Sequence, residues 1–150
     1  MNTGKAINFR FKPSPLGPIP EDWEVVKLGE VVEEMYYGVT AKAVEKQTGL
    51  RMLRTTDISS SSVDWKNLPY CEITENRSDL RKYLIKRGDI FIARAGTVGI
   101  TVLADKDLND VVFGSYLIKL RLKPRVLPDF FLYFSQSLLY WRHLSRAQGS

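Results

Sequence analysis

A short segment near the middle of the chain holds the side chains whose types and spacing best suit molecular recognition. Arg94 and Thr97 lie between Ile90–Ala93 and Ile100–Ala104, in a loop that also contains two glycines. Branched apolar residues suit the pleated surface of a packed strand. Glycine permits a positive φ or a close backbone approach. The pattern therefore predicts two buried strands joined by a loop that presents the arginine and the threonine outward.

Residues suited to catalysis or metal binding are few. The chain has one cysteine, Cys71, and one histidine, His143, so it has neither an internal disulfide framework nor the ligands for a zinc site of its own. The apolar neighbours of Cys71 favour a small core residue, and the position of His143 favours a surface or capping role. No carboxylate pair has an acid–base setting, and no Gly-Lys-Ser/Thr follows the loop glycines. We expect a chain without a catalytic site, a metal or a cofactor.

Charge is distributed unevenly along the chain. The net charge is +5, with 22 Lys/Arg against 17 Asp/Glu, and residues 76–150 carry 13 of those bases but only 6 of the acids. The densest basic cluster, in and after a short helix predicted to begin at Thr74, consists of Arg77, Arg81, Lys82, Lys86 and Arg87. Such asymmetry is typical of a protein whose second half meets a polyanion. The alternative is a solvated basic face without a partner.

Length and composition suit one cytoplasmic domain with a sizeable core. No apolar run approaches the roughly 20 residues that span a bilayer, and no apolar signal segment follows Met1. Four prolines in residues 1–22 predict an extended, Pro-rich N-terminal arm. We expect the domain to occupy residues 23–150.

The elements that would position the central loop follow from periodicity. A strand is predicted at Trp23–Leu28, a short helix at Gly29–Met35 and further strands at Val111–Phe113 and Leu117–Leu122. In the last of these strands, alternation places two bases, at positions 119 and 121, on a half-exposed face. A Pro-Asp pair then starts one amphipathic helix over 128–146. Its apolar stripe, which we expect to pack on the sheet, consists of Phe130, Phe134, Leu138 and Trp141.

Several of these segments occur in the order found in a known family. They are Ile19-Pro20-x-x-Trp23 with Lys27–Val31, then Arg54-Thr55-Thr56-Asp57-Ile58, then Gly88-Asp89-Ile90-x-x-x-Arg94-x-Gly96-x-x-Gly99. Over about residues 17–150 the chain resembles the target recognition domain of a type I restriction–modification DNA-specificity subunit.

The resemblance implies an α+β fold: a strongly twisted, partly barrel-like β-sheet flanked by helices, with a C-terminal amphipathic helix. It implies sequence-specific binding of double-stranded DNA at one half of a bipartite site, without catalysis by this chain. Methylation would come from partner methyltransferase (modification) subunits that bind S-adenosylmethionine, and cleavage from a restriction subunit. On the same resemblance, the second recognition domain and the spacer helices would be absent from residues 1–150.

DNA recognition requires basic side chains that anchor phosphates and polar side chains that read the edges of the DNA bases. The predicted anchors are Lys42, Arg77, Arg81, Lys82 and Arg87. The predicted readers are Thr40, Arg54, Thr56, Arg94, Thr97 and Tyr116. For Arg94 the alternative is a salt bridge to Asp89 or Asp57, and for Thr40 and Thr56 it is an ordinary place at a strand end.

Two other classes of function stay open at this point. A general single-strand or RNA-binding β domain would stack bases on Tyr36, Tyr37 and Tyr116. A protein-interaction module would instead dock a partner on the apolar face of the 128–146 helix.

Overall fold

The computed structural model describes residues 9–76 and 78–149. The strands are β1 (Phe11–Lys12), β2 (Ile19–Pro20), β3 (Val32–Tyr37), β4 (Ala41–Val44), β5 (Arg51–Leu53), β6 (Ile58–Ser59), β7 (Ser62–Val63), β8 (Tyr70–Ile73), β9 (Ile90–Ala93), β10 (Thr101–Leu103), β11 (Val111–Phe113) and β12 (Leu117–Leu122). The α-helices are α1 (Leu28–Val31), α2 (Pro128–Ser135) and α3 (Leu138–Gln148), and 3-10 turns occupy Thr55–Asp57 and Arg81–Tyr83. No helix in the described ranges is both long and apolar enough to cross a membrane.

The chain forms two compact units, which divide after Glu30. In the first, β1 and β2 pair as a short antiparallel hairpin. The strand predicted at Trp23–Leu28 is wrong: the Trp23 N–H closes a turn onto the Pro20 carbonyl at 3.0 Å, and positions 23–27 belong to none of the strands or helices of the described residues. The helix predicted at Gly29–Met35 is also too long, since β3 starts at Val32.

The second unit contains two four-stranded sheets, which confirms the α+β class. The first sheet has the order β10-β9-β12-β3, with antiparallel pairs, and the second has the order β11-β5-β8-β4, in which β11 and β5 are parallel. In the described part of the chain they do not close into a barrel. The β9–β10 hairpin at the centre of the sequence forms as predicted, with Thr101 opposite Ile92.

The chain passes between the sheets twice at one place, which we call the glycine seam (residues 37–40 and 113–116). One passage joins β3 to β4 and the other joins β11 to β12. A Cβ atom on Gly38 would lie 2.0 Å from the Gly114 carbonyl oxygen, so only glycine fits this approach. Val39 then pairs with Gly114 in a parallel bridge.

Apolar side chains fill the space between the sheets and a second layer beneath α2. Between the sheets, the Phe91 and Phe113 ring centroids lie 5.1 Å apart, and Cys71 is a buried core residue as predicted. On the other face of the first sheet, Ile90 and Leu120 pack with Phe131 of α2. Both faces of β9 and β12 are therefore covered.

This double coverage corrects the prediction of a half-exposed face on β12. The strand has the predicted bounds, but the Lys119 side chain is only 3% exposed because the second sheet covers it. Its Nζ lies 3.7 Å from the fully buried Asp89 carboxylate, which also accepts from Arg121 Nη2 at 2.7 Å. Arg121 extends the network to Glu34 at 3.4 Å. Buried charges require such partners.

The single predicted C-terminal helix is two helices. Ser137 caps α3, with its Oγ accepting from the Tyr140 N–H at 3.4 Å, and a serine that bonds the backbone in this way favours a new helix start. The break changes which side chains face the core. Tyr140 is buried, whereas Leu138 of the predicted stripe is 64% exposed.

A further helix predicted after Thr74 is wrong in the described residues. Only the 3-10 turn Arg81–Tyr83 forms there, and it buries Tyr83 against Phe113 at 6.1 Å between ring centroids. Within the described residues, Arg81 and Lys82 therefore lie on a short turn rather than along a helix face.

Candidate nucleic-acid interface

Backbone contacts bring several loops to the glycine seam. The Gly114 N–H donates to the Leu53 carbonyl at 2.9 Å, and the Arg94 N–H donates to the Tyr116 carbonyl at 2.9 Å. Together with the Val39–Gly114 bridge, these contacts connect four separate parts of the sequence. The predicted readers that lie at or directly beside the seam are Thr40, Arg54, Arg94 and Tyr116.

The turn that carries Thr56 packs directly on the central loop. A Cβ atom on Gly96, where φ is +74°, would lie 3.6 Å from Thr55 Cγ2, in ordinary contact. Thr56 itself is exposed, while Thr55 Oγ1 is buried and makes no hydrogen bond within the described residues. Thr56 is therefore exposed on a turn whose Thr55 lies against the central loop.

Thr97 lies on the same loop but faces elsewhere. It lines an open cleft of about 450 Å³ together with Ser59 and Ser60 of the β6–β7 turn and Trp141 of α3. Of the six predicted readers, Thr97 is the one that lines this cleft.

Arg94 is exposed and is held by two contacts. Its Nε donates to the Ser115 carbonyl at 2.7 Å, and its guanidinium carbon lies 4.8 Å from the Tyr37 ring centroid. The alternative of a salt bridge to Asp89 or Asp57 is not what the structure shows, because those carboxylates pair with other bases. The Arg94 side chain is thus oriented without being neutralised.

Arg54, in contrast, is paired within its own turn. Its Nε and Nη2 donate to the two Asp57 carboxylate oxygens at 3.0 and 2.8 Å, and its backbone N–H donates to the same carboxylate at 2.8 Å. This hydrogen bonding raises the pKa of the Arg54 guanidinium above its usual value. A contact to DNA through Arg54 would use the donors that Asp57 leaves available.

The central loop is held from beneath by α3. The buried Tyr140 hydroxyl donates to the Gly99 carbonyl at 2.7 Å, and burial raises the pKa of Tyr140 to about 12. A Cβ on Gly99, where φ is +94°, would lie 2.5 Å from Leu144 Cδ1 and 3.1 Å from the Trp141 ring. Close packing of the helix on the loop therefore also requires glycine at this position.

The predicted phosphate anchors differ in how much of their charge is available. Arg81 is 88% exposed but makes a two-point ion pair with Asp79, and this hydrogen bond lowers the pKa of Asp79 to about 2. Lys82 is exposed, and its Nζ lies 5.6 Å from the Tyr36 ring centroid and 5.3 Å from that of Tyr83. Its ammonium group therefore rests on two tyrosine rings.

Two further predicted anchors, Arg87 and Lys42, lie apart from that turn. Arg87 is exposed, and its backbone N–H donates to Asp107 at 2.8 Å. Lys42 is exposed on β4, an edge strand, opposite Glu72. Arg77 lies outside the described residues.

Sequence reasoning missed the side chain and the carbonyl that hold Arg94. It assigned Tyr37 only a possible base-stacking role and gave Ser115 none. Tyr37 ends β3, 57 positions before Arg94 in the sequence, so no local pattern signals the contact. Tyr36, the other tyrosine at this strand end, is half-buried beneath Lys82 and Lys119 and offers no open stacking face.

The described residues contain no group of three or more His, Cys, Asp or Glu side chains arranged to hold a metal ion. His143 is exposed on α3, where its Nδ1 lies 3.0 Å from the Leu139 carbonyl oxygen.

Comparison with known proteins reveals matching sequences. Over 127 residues, the chain is 32% identical to the putative type I restriction enzyme MjaX specificity subunit of Methanocaldococcus jannaschii, a match that covers 82% of this chain and 30% of that protein. The type I restriction enzyme MjaVIII specificity subunit of the same organism is 29% identical over 148 residues, covering 91% of this chain and 33% of that protein. The chain therefore spans about a third of the length of these curated relatives.

Solved structures show the same fold. The crystal structure of the HsdS subunit from Thermoanaerobacter tengcongensis superposes with a TM-score of 0.58 at 21% identity, over 86% of this chain and 30% of that one. A structure reported for complex assembly and conformational transition of the type I R-M system gives a TM-score of 0.58 at 22% identity, over 83% of this chain and 30% of that one. The model of the type I restriction modification DNA specificity domain matches residues 20–150, and the chain therefore belongs to that family.

Proposed function

We propose that this chain is the target-recognition part of a type I restriction–modification specificity subunit. It binds double-stranded DNA in a sequence-specific manner at one half of a bipartite site. The chain does no chemistry itself; partner methyltransferase and restriction subunits, directed to the site, modify or cut the DNA. Membership of the DNA specificity domain family supports this proposal.

One structural observation carries the proposal at the level of residues. Segments from four parts of the sequence meet at the glycine seam, and the exposed Arg94 projects there with no carboxylate in salt-bridge contact in the described part of the chain. Arginine donates bidentately to the O6 and N7 atoms of guanine, and threonine and tyrosine supply hydroxyl groups for base edges or phosphates. Short polar loops on a rigid β-sheet scaffold suit contact within a groove of the DNA duplex.

The proposal is tested by selecting bound sequences from a randomised duplex library with the 150-residue chain. We expect a short motif to be enriched. Arg94→Ala should weaken binding of that motif by about 1–3 kcal/mol and leave binding of random duplex unchanged. Arg142→Ala removes the same charge from an exposed position on α3 and serves as the control. Equal losses on motif and random duplexes would refute the reading role of Arg94.

The same assay separates duplex from single-strand binding. Tyr37 and Tyr116 are 55% and 62% exposed and are the tyrosines available for stacking among the three named above. If a single strand of the enriched sequence competes better than the duplex, the chain is a single-strand binder and the proposal fails.

The role of partner subunits is tested in the intact system. Residues 20–150 are exchanged into the specificity subunit of a relative, and the methylated sites of the host genome are mapped. We expect one half of the methylated motif to change and the other half to stay. An unchanged motif would show that these residues do not determine the target.

A protein-interaction role is the second candidate, because apolar side chains on the outer face of the helical region are exposed. Leu127, Tyr133 and Leu138 are 71%, 71% and 64% exposed. If this face docks another protein, the isolated chain should self-associate at micromolar concentration, and Tyr133→Lys should reduce the association in sedimentation velocity. A monomer at all concentrations would argue against this candidate.

A further inference from the structure

We infer that Tyr37 is a positioning residue that holds Arg94 in one orientation, so that the two terminal nitrogens of Arg94 read a guanine end-on. This inference rests on the proposed function and assigns a base to one side chain of that site.

Among the described residues, the guanidinium of Arg94 uses only one of its three nitrogens as a hydrogen-bond donor. Nε donates to the Ser115 carbonyl at 2.7 Å. Nη1 and Nη2 have no hydrogen-bond partner among the described residues. Arginine has five N–H donors in a rigid fork, so four of them remain on the outer end of this one.

Other arginines of the second unit show how a structural arginine differs from this one. The arginines whose guanidinium groups are bound to aspartates are Arg51 (Asp110), Arg54 (Asp57), Arg81 (Asp79) and Arg121 (Asp89). Each of them has a carboxylate partner for its charge, at the surface in the case of Arg81. Arg94 differs because its fixed nitrogen bonds to a neutral carbonyl, which orients the group and leaves its charge available to a ligand.

The contacts that orient Arg94 come from backbone that cannot easily move. Tyr37 precedes Gly38 and Ser115 follows Gly114, and these two glycines are in the close approach that excludes a Cβ. The Tyr37 ring therefore lies on one crossing chain and the accepting carbonyl on the other.

A side chain held in this way loses little conformational freedom when it binds. The ring contact at 4.8 Å is within the range of a cation–π interaction, and it leaves the edge of the guanidinium open. Because Nε is occupied, a bidentate contact must use Nη1 and Nη2.

Among base edges, the guanine edge in the major groove presents two adjacent acceptors, O6 and N7, that match such a fork. Phosphate also accepts a bidentate arginine, but a phosphate contact carries no direct sequence information. Loss of preference at a single base pair therefore distinguishes a guanine reader from a phosphate anchor.

The test compares Tyr37→Leu, Tyr37→Phe and Arg94→Ala with the parent chain in selections from a randomised duplex library. Phenylalanine keeps the ring face, whereas leucine keeps only apolar bulk. We expect the parent and Tyr37→Phe to require one G·C pair. Tyr37→Leu and Arg94→Ala should lose about tenfold in preference at that pair while the other positions are unchanged. The inference would be overturned if Tyr37→Leu kept the guanine preference, or if it reduced the base preference equally at every position of the motif.

A measurement without DNA separates this inference from the proposed function. In ¹⁵N NMR spectra of the free chain, the Arg94 Nε–H should exchange slowly with water in the parent and in Tyr37→Phe, and faster in Tyr37→Leu. If the exchange is unaffected by Tyr37→Leu, the positioning role is wrong even when the parent selects a motif. If the parent selects no motif, the proposed function and the guanine assignment both fail, while the exchange rates still decide whether Tyr37 holds Arg94.

Discussion

Replacing Asp89 with asparagine should destabilise the fold strongly, because it removes the only carboxylate in salt-bridge contact with the buried Lys119 in the described part of the chain. Asp89 is fully buried and Lys119 Nζ lies 3.7 Å from it. Asparagine keeps the shape and one carbonyl oxygen, which can still accept from the Lys86 N–H that now donates to Asp89 at 2.8 Å. With that oxygen toward the Lys86 N–H, the amide nitrogen faces Arg121, so the substitution removes the negative charge and also the hydrogen bonds that Arg121 Nε and Nη2 donate to Asp89 Oδ1.

Two independent estimates give similar magnitudes. Coulomb's law at 3.7 Å with an effective dielectric constant of about 20 gives roughly 4–5 kcal/mol. Removal of one partner from a buried ion pair typically costs about 3–5 kcal/mol, because the remaining charge stays buried without compensation. Domains of this size have a free energy of unfolding of about 5–15 kcal/mol, so the variant should lose a large part of its stability.

The pH dependence follows from the sign of the Lys119 shift. Burial lowers the pKa of Lys119 below its usual value of 10.5, while Asp89 opposes that effect. Between the folded and unfolded pKa values the unfolded chain binds more protons, so stability rises with pH in that window. Removing Asp89 lowers the pKa of Lys119 further and widens the window. The cost of Asp89→Asn should therefore be smaller at pH 9.5 than at pH 7.

Urea unfolding followed by circular dichroism measures these effects. Asp79→Asn is the matched control, because it removes an aspartate from an exposed pair and should leave the unfolding midpoint nearly unchanged. Adding Lys119→Met to Asp89→Asn should recover most of the loss, since no buried charge then lacks a partner. The reasoning would be refuted if Asp89→Asn and Asp79→Asn lowered the unfolding midpoint by equally small amounts. It would also be refuted if Lys119→Met added its own loss of stability to that of Asp89→Asn.

Three further predictions concern the seam, the loop support and the basic turn. Gly38→Ala should lower the free energy of unfolding by more than the usual loss of about 0.5–3 kcal/mol for one substitution, because the alanine Cβ would lie 2.0 Å from the Gly114 carbonyl oxygen. Thermal unfolding measures this loss. Gly29→Ala is the control, because a Cβ at that position would have nothing within 4 Å. Burial raises the pKa of Tyr140 to about 12, so the folded state keeps a proton that the unfolded state loses near pH 10. Stability should therefore fall as pH rises from 10 to 12. Tyr140→Phe should remove from the absorbance at 295 nm one tyrosine that titrates near pH 12. Reversing charge at both Arg81 and Lys82 should weaken motif and random duplexes alike and flatten the salt dependence of binding, and an unchanged slope would exclude them as phosphate anchors.

The sequence determined several local elements, although the patterns at Trp23–Leu28 and over 128–146 predicted one strand that does not form and one helix that is two. The β9–β10 hairpin, β11 and β12 were predictable because branched apolar residues, alternation and glycine turns act over a few positions. The order of the segments from Arg54 to Gly99 likewise identified the family, because such motifs are read along the chain. Arg94 was also identified as exposed from its position between two strands and beside glycines.

Tertiary structure decided which faces are covered and which distant groups meet. Lys119 alternates like an exposed residue, but the second sheet covers it and makes Asp89 its necessary partner. Whether an arginine is neutralised depends on carboxylates that are far away in sequence, so Arg54 and Arg94 could not be told apart before folding. Alternation of apolar and charged residues along a strand shows only that its two faces differ in polarity. What packs on each face, and whether Tyr37 lies beside Arg94, depends on how the two sheets meet at the glycine seam.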